Sequence, residues 1–184
     1  RDSNAPCRTI QRGVDQAGAG QEVRIAGGTY TNVHTEEGLK QIVHINKSVK
    51  IGGGYSITNW TNPSMTLNPT TLDAGGLGRG VYITSTGSVT LERLRITGGD
   101  ATGLGGAQLS GWDAGGGIYV RNAGGTVEQC EIFGNTSGSG NTRGGGIFLR
   151  GSPMLVRSNL IYSNTAAYNG GGIDVHFSGG RLDH

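Results

Sequence analysis

The chain has 184 residues, one domain's worth, with 37 glycines, 34% hydrophobic residues and 15% charged residues. Its net charge of +2, from 15 basic and 13 acidic side chains, lacks the dense basic face of a nucleic-acid binder. The glycines follow no three-residue period, which excludes collagen, and the interrupted apolar runs exclude a transmembrane helix.

Residues 7–17 place Ile10, Val14 and Ala17 at i, i+4 and i+7, which predicts an amphipathic helix of about three turns. Residues 22–25 read as a strand and the GGTY run at 27–30 as a turn. Two more strands are expected at 41–45 and 48–51. Residues 1–20 are therefore read as an N-terminal cap, because a helix can cover the unpaired edge and apolar side chains of a first coil.

From residue 80 onward the chain repeats itself. The tetrapeptide GGGI occurs at 115–118, 144–147 and 170–173. Between copies, Val127, Ile132 and Asn135 recur as Val156, Ile161 and Asn164, 29 residues later. An earlier copy runs from Leu91 through Ile96 to Gly99, with glycine in the asparagine slot, and Val81 to Ile83 matches the strand after GGGI. Each unit reads as a glycine turn, two short strands, IxxN and a polar loop. No such unit buries its apolar side alone, whereas stacked units share one continuous core. A period of 20–30 residues with several strands and no helix predicts a β-solenoid, here residues 21–184 in five or six coils.

Equivalent asparagines in stacked coils lie about 4.8 Å apart. Asn135 and Asn164 are therefore expected to bond each other and the turn backbone. Gly117, Gly146 and Gly172 suit close coil packing, and Ile118, Ile147 and Ile173 suit an apolar ladder. Cys7 and Cys130 make no disulfide framework; two thiols and a single bridge both stay open, the thiols being the plainer reading. No His pair has metal-ligand spacing, so neither a metal nor a cofactor is expected. Trp60 and Trp112 lie in irregular stretches, where they either stack on a sugar ring or pack their own loops.

These residues resemble right-handed parallel β-helix proteins of the pectin-lyase-like class, including the cap run from Cys7 to Gln11, Val23 to Ile25 and Gly28 to Tyr30. The GGIY, GGIF and GGID tetrads with IxxN are similar to the repeats of polymorphic outer membrane proteins, which are bacterial surface adhesins. Here Ile132 and Ile161 replace the usual Phe, and Asp174 breaks the last tetrad. The resemblance implies an all-β fold with an N-terminal capping helix. For function it implies either a non-catalytic surface scaffold or a fragment of a polysaccharide lyase or hydrolase. The hydrolase motifs NTD, DD and GHG are missing. The alternative reading rests on Arg93 and Arg95, taken as outward residues of one strand face, with Asp100 and Asp113 as carboxylates.

The chain starts at Arg1 without Met, so a removed signal peptide or a trimmed end is expected, with an extracellular or cell-surface location. No second cap follows the third tetrad. Three readings stay open: a cut from a longer solenoid, residues 178–184 folding back as a plug, or an open coil that meets another chain end to end. The expected partners are thus another copy of the chain, and a polysaccharide or cell-surface ligand.

Overall fold

A computed structural model describes residues 6–107, 111–176 and 181–183. The chain winds through three long parallel sheets in turn, and a short fourth pairs Asp113–Ala114 with Thr142–Arg143. The first carries Glu22–Ala26, Val49–Tyr55, Ser88–Glu92, Gly124–Glu128, Met154–Arg157 and Arg181–Asp183. The second carries Gly28–Tyr30, Thr70–Asp73, Arg95–Thr97, Glu131–Phe133 and Leu160–Tyr162. The third carries Leu39–Ile45, Arg79–Ile83, Ile118–Arg121, Ile147–Arg150 and Ile173–His176, with His34–Glu36 antiparallel at its edge. This is an all-β, right-handed parallel β-helix.

Side-chain alternation builds the core. Ile51, Leu91, Val127 and Val156 are register partners on the first sheet, Leu72, Ile96, Ile132 and Ile161 on the second, and Val81, Ile118, Ile147 and Ile173 on the third. Most are fully buried, each burial stabilising by about 1.5–3 kcal/mol. The turn from first to second sheet is tight and left-handed at Arg93, Gln129 and Ser158, whereas residues 56–69 make a long connection between the same two sheets. The loops from second to third sheet vary in length.

The helix is shorter than its periodicity predicts: Ile10–Gln16, capped by the Thr9 hydroxyl accepting from Arg12 N at 3.2 Å. Ile10 and Val14 are buried in the core, and Gln11 exchanges two hydrogen bonds with the His44 backbone. The GGTY run is a strand rather than a turn, because Gly28 to Tyr30 pair in register with Thr70 to Leu72. Arg181 to Asp183 are no plug: they pair in parallel with Leu155 to Arg157 and continue the first sheet. The rest of the stretch 178–184 lies outside the described residues.

Cys7 and Cys130 form no disulfide. Burial pushes the Cys130 thiol up to about 12, so it is protonated at neutral pH and inert. A maleimide reagent is expected to modify the partly exposed Cys7 at once and Cys130 only on unfolding. Mass spectrometry of labelled peptides, native against denatured, checks this.

Candidate functional site

The four residues of the catalytic alternative are each bound to partners of their own. Arg93 is not on a strand face with Arg95. It sits in the left-handed turn at φ 55°, and its guanidinium pairs with its neighbour Glu92 instead of facing away from it. It also donates to Gly53 O at 3.2 Å, while Glu92 takes Lys50 Nζ at 2.9 Å. Arg95 leaves the second sheet, bonds Glu131 Oε2 at 2.6 Å and packs 5.2 Å over the Phe133 ring. Asp100 closes a local turn onto Thr102 N and Oγ1 at 2.8 and 2.5 Å. Asp113 accepts from Gly103 N and Gly105 N at 2.8 and 2.7 Å. Each group is thus held by its own protein, and each carboxylate serves its loop backbone.

Burial raises the Glu131 carboxyl, but hydrogen bonds from Tyr162 and Arg95, with the Arg95 charge, bring it below the usual carboxylate range. A lowered folded value stabilises the protein above the unfolded carboxylate range, and this stabilisation is lost as pH falls through the folded value. Glu131→Gln is therefore expected to flatten the acid limb of stability. Denaturant midpoints from pH 3 to 7 check this.

The asparagines form a continuous ladder. Asn135 is 1% exposed. Its Nδ2 donates to Ile96 O and Phe133 O at 3.0 Å and to Asn164 Oδ1 at 2.9 Å, and its Oδ1 accepts from Gly99 N at 2.9 Å. Asn164 Nδ2 donates to Ile132 O at 2.8 Å. A second rung in the tight turn was not read from the sequence: Asn159 accepts from Cys130 N and donates to Val127 O, both at 2.8 Å. Its slot, 29 residues after Cys130, was the available signal.

The GGG runs divide their labour. Gly115, Gly144 and Gly170 hold positive φ, whereas Gly117 and Gly146 lie where a Cβ would meet the ladder asparagines. A Cβ at Gly172 would make only an ordinary contact with Ile161.

The outer side of the third sheet gathers the remaining chemistry. His44, Tyr82, Tyr119 and Phe148 stack one above another at centroid distances of 5.0, 5.1 and 5.9 Å. Residues 98–107 reach across this row. Arg79 Nη2 donates to Gly105 O at 2.5 Å, Tyr119 OH to Gly106 O at 2.8 Å, and Arg150 to Gly106 O at 3.2 Å. Three coils thus pin one strap. Further along, the Arg143 guanidinium lies 5.3 Å from the Trp112 ring and 5.7 Å from Tyr168, with Asp174 at 3.7 Å. Trp112 and Tyr168 meet edge to face at 5.1 Å. Trp60 is elsewhere: it stacks on Tyr55 at 6.2 Å, and its carbonyl accepts from Arg24. The two tryptophans do not share a site. Arg79, Arg143 and Tyr168 were missed because their meeting depends on loops from different coils.

Among the described residues, no cluster of three His, Cys, Asp or Glu side chains fits a metal ion, and no helix is long and apolar enough to cross a membrane.

Three stacked parallel sheets, tight left-handed turns and a buried asparagine ladder define the class of right-handed parallel β-helix proteins. The family model for the right-handed beta helix region matches residues 75–182, more than half of the chain, and the chain belongs to that family. Searches of curated proteins and of solved structures found no match.

Proposed function

We propose that this chain is a non-catalytic structural or adhesive module working outside the cell, in the manner of the polymorphic outer membrane protein repeats it resembles. One observation carries this reading: Arg93, Arg95, Asp100 and Asp113 are each engaged by a different partner within the protein. Treatment of acidic polysaccharides should yield no unsaturated product. Product that disappears on Arg93→Ala or Arg95→Ala would establish the enzymatic reading instead.

The module associates end to end through its last described coil. There Val175 and Leu182 are exposed and Ile161 and Ile173 only half-buried, whereas their register partners one coil earlier, Leu149, Val156, Ile132 and Ile147, are buried. Among the described residues, Leu160–Tyr162 and Ile173–His176 each have one strand neighbour, which favours further β-pairing. Sedimentation velocity should show concentration-dependent oligomers that survive moderate salt and vanish in a Val175→Lys/Leu182→Lys variant. A monomer at every concentration overturns the assembly.

A second reading, glycan binding, is favoured by the corner of Trp112, Arg143 and Tyr168, where Tyr168 is 57% exposed. Oligosaccharide titration followed by tryptophan fluorescence tests it. Binding lost in Tyr168→Ala and kept in Trp60→Phe supports this corner.

A further inference from the structure

Arg79 and Gln41 are register partners on adjacent strands of the third sheet, so their side chains leave it on the same side. Both are completely buried. Arg79 donates Nε to Ala114 O at 3.0 Å and Nη2 to Gly105 O, and packs 4.9 Å over the Tyr119 ring. Among the described residues its Nη1 has no hydrogen-bond partner, and neither Nε2 nor Oε1 of Gln41 has one. Buried polar groups are almost always satisfied, so three orphans on neighbouring residues are a strong departure.

Charge is unbalanced at the same place. Among the described residues no carboxylate lies within ion-pair distance of Arg79. Asp113 acts on it only at longer range, and both Asp113 oxygens are taken by Gly103 N and Gly105 N. Burial lowers the Arg79 pKa to about 10, which leaves it cationic at neutral pH. A buried cation whose partners are neutral carbonyls calls for a counter-charge.

We propose that a small monovalent anion binds between Nη1 of Arg79 and Nε2 of Gln41. It neutralises the guanidinium and so fixes the Gly105–Gly106 strap that Arg79 holds over the aromatic row. Two sources share this chemistry. Chloride accepts both N–H groups. Bicarbonate accepts them and also donates its O–H to Gln41 Oε1.

The test is thermal unfolding of the whole chain at pH 8 and constant ionic strength in sodium gluconate, chloride or bicarbonate. A bound anion at ten times its dissociation constant raises Tm by about 3–6 °C over gluconate. Whichever salt does so identifies the ion. Gln41→Glu places a carboxylate beside Arg79. This variant should melt above the wild type in gluconate and lose the anion response. Crystals soaked in bromide should show an anomalous peak beside Arg79 Nη1 if the site takes halide. Equal Tm in all three salts, with water alone beside Arg79 in the crystal, overturns the proposal. So does a Gln41→Glu variant that keeps the full anion response. None of these outcomes depends on the adhesive reading.

Discussion

Gly116→Ala is expected to abolish folding or to cost more than about 4 kcal/mol, the range reserved for backbone clashes and core disruption. A Cβ there would lie 2.0 Å from Thr136 O and 2.9 Å from Gly145 O. Neither oxygen can retreat cheaply. Gly145 O accepts Gly117 N at 3.0 Å, Thr136 O accepts Ala101 N at 3.1 Å, and Gly116 O itself accepts Gly80 N at 3.0 Å. Relieving the clash therefore breaks hydrogen bonds between several coils at once. Gly103→Ala is the matched control. It sits at φ 73° with nothing within 4 Å of its Cβ, so only the left-handed conformation is penalised, by about 1–2 kcal/mol. Thermal and denaturant unfolding of both variants checks the contrast. Similar losses at the two sites would mean that coil packing at Gly116 is looser than its contacts indicate.

Asn135→Asp is expected to destabilise by about 3–5 kcal/mol at neutral pH, although the side chain keeps its shape. The amide donor now facing Ile96 O, Phe133 O and Asn164 Oδ1 becomes a carboxylate oxygen facing three acceptors. The site is buried, so the variant's carboxyl is driven above its unfolded value. The folded state then binds the proton more tightly, and the penalty shrinks as pH falls. Denaturant midpoints at pH 7 and pH 5 should approach the wild-type value at the lower pH. A pH-independent loss would place the cost in packing rather than in the ladder. Asn164→Ala should cost roughly half as much, because Asn164 is less buried and the Asn135 amide keeps its two carbonyl partners.

The repeat spacing already contained the stacking register. Residues 29 apart, such as Ile118 and Ile147 or Ile132 and Ile161, are strand partners, because in-register coils pair equivalent positions. The core rows and the asparagine ladder were legible for the same reason. Each depends on a short pattern whose neighbour is another copy of itself. Where copies are missing, local reading failed. Gly28 to Tyr30 has no repeat signature and became a strand only by pairing with Thr70 to Leu72. Arg93 reads as a strand residue until the first and second sheets demand a tight left-handed turn there.

The outer surface was decided by tertiary structure. Alternation sends Tyr119 and Phe148 outward, which predicts exposure, yet they are 2% and 0% exposed. They are covered because residues 98–107 reach across the third sheet and are pinned there by Arg79, Tyr119 and Arg150. Arg95 likewise finds Glu131 one coil away, 36 residues along the chain. The sequence by itself determined what points into the solenoid, since inward position follows from alternation and repetition, both local. Only the folded chain decided what lies over its outside, since that depends on which loop, of what length, is brought across which coil.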